Sequence, residues 1–335
     1  MKMRTCLLAF LGLIVIGLSC VPVARAETTG ESPATESPAE SKKPAAFADR
    51  GAQTCIKCHD QSPVSDILKT PHVVKGDGRT PFGQDNHDCE TCHGASPEHI
   101  HSHPASGEKK ASTAVVFKGP NAASVEKRNE MCTNCHENGM RMNWRGSQHQ
   151  SNDVACVDCH TVHVTKDPVL VKQKQPEKCF TCHAEQRAQS FMYSHHPVRE
   201  GKVSCGDCHS VHGSPGPKLM KEFTVNQTCY NCHAEKRGPF MWEHQPVRED
   251  CISCHTPHGS TEARLMSERM NFMCSACHSG STSANSGAAF GGHGALSGSQ
   301  KNIAISSGLA NQRTCLNCHS QVHGSNSANG AYFLR

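Results

Sequence analysis

The stretch CVDCHTVH, from Cys156 to His163, places two cysteines and two histidines within eight residues. Close variants recur at 205–212 (CGDCHSVH), 251–258 (CISCHTPH) and 315–323 (CLNCHSQVH). All four contain Cys-x-x-Cys followed at once by histidine. The 335-residue chain has ten such motifs, which hold 20 of its 22 cysteines. We number them motifs 1 to 10 in chain order; their first cysteines lie at 55, 89, 132, 156, 179, 205, 229, 251, 274 and 315.

This spacing is the attachment signature of c-type haem. The two thiols add across the vinyl groups of one haem, and the adjacent histidine reaches the iron as its proximal ligand. The predicted haem-binding cysteines are Cys55, Cys58, Cys89, Cys92, Cys132, Cys135, Cys156, Cys159, Cys179, Cys182, Cys205, Cys208, Cys229, Cys232, Cys251, Cys254, Cys274, Cys277, Cys315 and Cys318. The predicted proximal ligands are His59, His93, His136, His160, His183, His209, His233, His255, His278 and His319.

Zinc ribbons and disulfide frameworks also use Cys-x-x-Cys pairs. A zinc ribbon combines two such pairs and needs no histidine after each one, and disulfides leave the ten histidines unexplained. Aromatic residues make up only 5% of the chain and the mean hydropathy is −0.54, so the side chains alone would form a poor core. We therefore predict a multihaem cytochrome c with ten covalently attached haems filling its interior. Short helices would surround the motifs, with loops between them and little regular secondary structure.

The N-terminus has the pattern of an export signal. A basic start precedes an apolar run at 7–18, and Ala-Arg-Ala at 24–26 forms a cleavage site, so 1–26 is the predicted signal peptide. Export fits haem attachment, which occurs outside the cytoplasm. Residues 27–50, rich in Ser, Pro, Glu and Ala, are predicted to be a disordered leader.

The motifs belong to a longer internal repeat. TCHAEQRAQSFMYSHHPVRE at 181–200 parallels NCHAEKRGPFMWEHQPVRE at 231–249, and each is followed by another motif. The repeating unit holds two motifs, which indicates a stacked, quasi-linear array. Residues 279–313, rich in Gly, Ser and Ala, are predicted to be a loop carrying His293.

The second histidine of the opening stretch needs a separate explanation. If the motif is helical, His160 and His163 share one face, whereas two axial ligands must approach an iron from opposite sides. His163 is therefore expected to reach an adjacent haem and hold it alongside, and His212, His258 and His323 are expected to do the same. Such close packing of haems is what electron tunnelling requires.

Fourteen histidines lie outside the motifs, for ten predicted irons, so about four are spare. Methionine is an alternative sixth ligand that raises the haem potential, but Met140, Met192, Met241 and Met273 are predicted to pack against haem edges because the histidines already suffice. The expected spares are His87, His101, His103 and one of His195 or His196.

Three further strings extend the pattern: VACVDCHTVHVTKDPVL at 154–170, CYNCHAEKRGPFMWEHQPV at 229–247 and CLNCHSQVHGSN at 315–326. On the basis of these strings and the ten motifs, the chain closely resembles the MtrA-type (DmsE-type) decahaem cytochromes. The resemblance implies an elongated wire of two pentahaem halves, 51–204 and 205–335, with bis-histidine ligation of every haem. The distal ligands that it implies are His72, His99, His149, His163, His196, His212, His244, His258, His293 and His323. His195 stays an alternative to His196, as His101 and His103 do to His99.

The resemblance also implies a function and partners. Members of this group sit inside an outer-membrane β-barrel porin and carry electrons between the periplasm and the cell exterior. We therefore expect a non-enzymatic conduit that serves iron(III) reduction or iron(II) oxidation. Its redox partners would be periplasmic or inner-membrane cytochromes and an outer-surface multihaem cytochrome or extracellular donor or acceptor. A soluble periplasmic electron shuttle and a multihaem reductase are the alternatives.

Charge indicates which partners to exclude. The net charge of +4 includes three basic residues and no acids within 1–26, which leaves +1 after cleavage. The chain has no basic cluster interleaved with aromatic residues, so a nucleic-acid partner is not expected.

Overall fold

The computed structural model describes residues 45–83, 87–102, 109–278, 315–317, 319–328 and 333. These residues form short helices joined by loops, as predicted, and contain isolated β-bridges but no strand. The α-helices are Ala52–Cys55, Glu90–His93, Pro97–His101, Val125–Thr133, Gln148–Ser151, Cys156–Cys159, Gln175–Cys179, Ala184–Gln189, Cys205–Cys208, Val225–Tyr230, Gln245–Glu249 and Met270–His278. The 3₁₀ helices are Val64–Lys69, Gly139–Arg141, Pro168–Leu170, Pro217–Leu219, Ala234–Lys236, Cys251–Ser253, Ala263–Leu265 and Cys315–Asn317.

Most motifs form one helical turn and no more. The backbone N–H of the motif histidine donates to the carbonyl of the first cysteine, at 2.9 Å for His160 to Cys156 and 3.0 Å for His59 to Cys55. At His160 the backbone is already extended, with φ −92° and ψ 141°. His163 therefore does not share a helical face with His160, and the premise of that sequence argument is wrong for this motif. A single turn is enough to present two thiols and one imidazole together.

Side chains alone fill little of the interior. In the described part of the chain only Ala52, Ile67, Val115, Ala155, Val157, Met220 and Val225 are buried apolar residues, and no large side chain is fully buried. At the same time Met142, Leu170, Tyr193, Phe223 and Met241 each expose more than two thirds of their surface. This distribution agrees with the predicted need for a large apolar group that the chain does not supply itself.

Residues 45–50 contact motif 2 and the segment just before it. The ring of Phe47 stacks on that of His87 at 3.6 Å, and the Ala48 N–H donates to the buried carboxylate of Glu90 at 2.7 Å. These contacts join residues 45–50, the last part of the predicted leader, to the haem-motif region. The rest of the predicted leader and the predicted signal peptide lie outside the described residues.

The predicted division into two halves at 204/205 stays a prediction. Contacts cross this position: the Nδ1 atom of His149 donates to the carbonyl of Val211 at 2.8 Å, and the N–H of Gly206 donates to the side chain of Gln175 at 2.7 Å. Within the described ranges we find no helix long and apolar enough to span a bilayer.

Candidate haem-binding sites

Nine motif histidines each face one histidine from outside the motifs. The two imidazole rings of a pair come from distant segments, and their centroids lie 6.0–6.3 Å apart. The pairs are His59–His99, His136–His72, His93–His163, His183–His149, His160–His212, His233–His196, His209–His258, His278–His244 and His255–His323.

This spacing fits one metal ion between two imidazoles. A metal–imidazole bond is about 2 Å long and the ring centre lies roughly 1 Å behind the bonded nitrogen, so two axial ligands have centroids about 6 Å apart. Rings in direct contact would be closer, as the 3.6 Å between Phe47 and His87 illustrates. The gap has the width needed for an iron and the porphyrin around it.

Eight of the nine pairs, those of motifs 2 to 9, follow a regular rule along the chain, whereas His59 of motif 1 faces His99, which follows motif 2. The histidine of an even-numbered motif faces a histidine that follows the motif two places later, as His93 of motif 2 faces His163 beyond motif 4. The histidine of an odd-numbered motif faces one that follows the motif two places earlier, as His183 of motif 5 faces His149 beyond motif 3. His163 thus faces the histidine of the motif two places before its own, and its ligation of a neighbouring haem stays a prediction.

Among the spare candidates the structure distinguishes His196 from His195. His196 faces His233, whereas Nδ1 of His195 donates to the carbonyl of Met192 and its Nε2 lies 3.3 Å from Glu200. His99 faces His59, His101 is exposed, and His103 lies outside the described residues. The partner predicted for His319, His293, also lies outside them, as does Cys318.

Backbone carbonyls orient several of these rings through their second nitrogen. Nδ1 of His149 donates to Val211, and Nδ1 of His196 donates to the carbonyl of Pro257 at 2.7 Å. A hydrogen bond at Nδ1 leaves Nε2 unprotonated and aimed into the gap, which is the arrangement of a metal-ligating histidine. Similar bonds join His93 to Val115, His99 to Ala111, His163 to Val64, His209 to Lys218 and His255 to Arg264.

Burial keeps many of the paired imidazoles neutral. Loss of hydration disfavours the charged ring, so the pKa falls below its ordinary value near 6.5. A neutral ring at pH 7 has a lone pair available for a metal. Burial is the main cause of a lowered pKa at His72, His93, His136, His209, His212, His244, His258 and His323.

Contacts between cysteines place consecutive motifs side by side. In motifs 1 and 2, 3 and 4, 5 and 6, 7 and 8, and 9 and 10, the thiols of the two first cysteines lie close enough to shift each other's pKa. The second cysteine of motifs 2, 4, 6 and 8 has a pKa raised by burial and also by a thiol of the following motif. The motifs therefore follow one another in space in the same order as in the sequence, without a break from 1 to 10.

Comparison with known proteins supports the same interpretation. The chain is 37% identical to the multiheme cytochrome MtrA of Shewanella baltica (strain OS185) over 290 residues, which cover 86% of this chain and 83% of that protein. The chain belongs to the MtrA family of multihaem cytochromes. Residues 195–238 and 244–282 also match the doubled CXXCH motif family, and residues 89–175 match the cytochrome c-type protein NrfB-like family. The resemblance predicted from the sequence is confirmed, and this MtrA-family chain is an electron-transfer cytochrome with covalently bound haem c.

Buried amide side chains join motifs of this MtrA-family chain, and the sequence argument missed them. Asn129 lies three residues before motif 3 and its Oδ1 accepts from the N–H of Cys156, which begins motif 4 (2.8 Å). Asn226 lies three residues before motif 7 and its Oδ1 accepts from the N–H of Cys251, which begins motif 8 (2.7 Å). Both asparagines are buried. Both asparagines lie three residues before the first cysteine of a motif, and this shared position could have identified them from the sequence.

Proposed function

We propose that this protein holds ten bis-histidine haems in a continuous row and relays electrons across the outer membrane between the periplasm and the cell exterior. The proximity of the thiols of consecutive motifs is the observation that carries the proposal, because electron tunnelling between haems requires short edge-to-edge gaps. Each haem, when bound, supplies an iron that cycles between the ferric and ferrous states.

The proposed iron ligands are the motif histidines and the ten distal histidines implied by the resemblance, with His196 rather than His195. Ring pairs at 6.0–6.3 Å support nine of these ten assignments. Two imidazoles that close both axial positions leave no iron free for a substrate. The carbonyls that accept from the imidazoles hold the rings in place, so little rearrangement accompanies a change in iron charge.

The membrane setting of the proposal comes from family membership. We propose that the mature chain begins at Glu27, reaches the periplasm, and associates with the outer membrane through a β-barrel porin. It would exchange electrons with periplasmic or inner-membrane cytochromes on one side. On the other side it would serve an outer-surface multihaem cytochrome or an extracellular donor or acceptor, in iron(III) reduction or iron(II) oxidation. The potentials of these partners set the direction of flow.

Liposomes that enclose a redox dye test the conduit directly. The cytochrome and the barrel that co-purifies with it from outer membranes are reconstituted together, and a reductant that cannot cross the bilayer is added outside. We expect the dye to be reduced only when both proteins are present. A cytochrome free in the periplasm, with no co-purifying barrel and no transfer, would replace the conduit with a soluble shuttle.

A further inference from the structure

The proximal histidine of motif 4 has a hydrogen-bond partner of an unusual kind. Nδ1 of His160 lies 2.7 Å from Oδ2 of Asp167, a carboxylate whose side chain is only 12% exposed. The other oxygen, Oδ1, accepts from the N–H of Thr161 at 3.3 Å and of Val169 at 3.4 Å. These bonds fix the carboxylate in position, with one oxygen directed at the imidazole.

The equivalent histidines of motifs 6 and 8 use a backbone carbonyl instead. Nδ1 of His209 and of His255 donate to the residue nine positions later, Lys218 and Arg264, each at 3.0 Å. Both of those residues have left-handed backbone conformations, with φ 52° and 61°. Nine positions after His160 stands Val169, which is not among the described residues with positive φ.

The residue at the position equivalent to Asp167 differs among these three motifs. The equivalent of Asp167 after motif 6 is Gly216, where even a Cβ atom would clash with the carbonyl oxygen of Glu222. After motif 8 it is Glu262, whose carboxylate lies 4.0 Å from the guanidinium of Arg269. Only at motif 4, among these three repeats, does a carboxylate replace the carbonyl as the acceptor.

A carboxylate and a carbonyl have different effects on an iron ligand. Hydrogen bonds to an ionised acceptor are about twice as strong as those to a neutral one, and a carboxylate partner makes a ligating imidazole more basic. A more basic imidazole stabilises ferric iron more than ferrous iron. The contact therefore favours the oxidised state of whichever haem His160 ligates.

We propose that Asp167 is a positioning residue that lowers the reduction potential of the haem at motif 4 below the potential it would have with a carbonyl acceptor. This proposal rests on ligation by His160, which is part of the proposed function, but not on transfer across a membrane. It gives one site in the middle of the row a potential set by a single side chain. Electrons passing along the row would then meet a step at motif 4.

The test variant is Asp167→Asn, with Asp158→Asn as the matched control. Asparagine can still cap the 3₁₀ helix Pro168–Leu170 but presents no charge to His160. Asp158 lies within motif 4 and accepts from the N–H of Ala155 at 2.8 Å, so the control removes the same charge from the same motif without touching the imidazole. A second variant, Asp167→Ser, also keeps a cap and guards against misfolding of the first. Haem content per chain is measured for each protein.

The purified, haem-loaded proteins are titrated electrochemically while the haem absorbance and the low-spin ferric EPR signals are followed. In both Asp167 variants we expect one haem's share of the signal to move to higher potential. The expected change in its ferric-to-ferrous ratio is at least tenfold, about 59 mV for a one-electron couple, together with an altered g-tensor for that haem. The control variant Asp158→Asn should shift the reduction potential of that haem by clearly less.

Two results would overturn the proposal. Equal shifts in the Asp167 variants and in Asp158→Asn would mean that distant charge, and not the hydrogen bond, sets the potential. Unchanged potentials in fully haem-loaded Asp167 variants would leave Asp167 as a helix cap only. If the unaltered protein itself shows no bis-histidine EPR signal, the ligation on which the proposed function rests is contradicted instead.

Discussion

The imidazoles of His149 and His183 face each other with ring centroids 6.1 Å apart, although His149 follows motif 3 and His183 belongs to motif 5. An iron between them would link two segments that the sequence separates by a complete motif. The same relationship, repeated in both directions along the chain, would make every haem a cross-link between parts of the fold. Haem binding and folding should therefore depend on each other, in the way that metal binding and folding do in small metalloproteins.

Replacement of one distal histidine should open one iron. We expect His196→Ala to leave the haem of motif 7 without its sixth ligand, since His196 faces His233. The reduced variant should bind about one equivalent of carbon monoxide, and the oxidised variant should show a new high-spin EPR signal. The adjacent replacement, His195→Ala, is the control and should do neither, because His195 is engaged by Met192 and Glu200. Carbon monoxide binding in His195→Ala alone would reverse the assignment.

The chain without haem should fail to fold. Its described residues bury only seven apolar side chains, and such a core cannot offset the conformational entropy of ordering so many residues. If 1–26 is the signal peptide proposed above, expression without these residues should keep the chain in the cytoplasm, where haem is not attached. We expect this haem-free protein to be digested rapidly in limited proteolysis and to melt without a cooperative transition. The haem-loaded protein, the control, should resist both treatments; a protected haem-free core would contradict the prediction.

Loss of the buried amide at Asn226 should weaken the contact between motifs 7 and 8. Its side chain accepts from the N–H of Cys251 and donates to the carbonyls of Val247 and Arg248. Asn226→Ala would leave these buried groups without their partner, at a cost of about 1–3 kcal/mol for each unsatisfied group. We expect a clearly lower denaturant midpoint with the haem content unchanged.

Asn231 provides the comparison for this variant. Its amide donates to Glu222 at 3.0 Å in an exposed contact, and Asn231→Ala should change the unfolding free energy by no more than about 0.5 kcal/mol. Equal midpoints for the two variants would show that the buried amide does not stabilise the pair of motifs.

The sequence indicated the haem-binding residues of each motif more completely than it indicated which distant segments meet at one site. The motif itself marks the cysteines and the proximal histidine, because attachment needs all three groups on one turn of chain. Which iron His163 approaches depends on the course of the loops, and its partner His93 lies 70 positions away in the sequence. Asn129 and Asp167 escaped notice for a related reason. Each acts through a hydrogen bond to a motif, and no spacing within the motif predicts such a bond.

The net charge of the haem-loaded protein predicts a dependence on salt. A ferric bis-histidine haem with two ionised propionates carries about −1, so ten haems would change the +1 of residues 27–335 to roughly −9. Encounter with a positively charged electron donor should therefore slow as ionic strength rises, because salt screens the attraction. Stopped-flow reduction by a cationic donor, compared with an anionic donor of similar potential, measures this effect. Equal salt dependence for the two donors would contradict it.

The pairing rule makes a last prediction at the C-terminal end of the row. The histidine of motif 1 departs from the rule that holds for motifs 2 to 9, because His59 faces His99, which follows motif 2. By the mirror image of that arrangement, His319 should be paired with the histidine that follows motif 9. His293 is the one histidine in the sequence between His278 and His319. We expect His293→Ala to bind about one equivalent of carbon monoxide when reduced, with the signal confined to a single haem. Unaltered ligation in that variant would mean that the row ends differently from the way it begins.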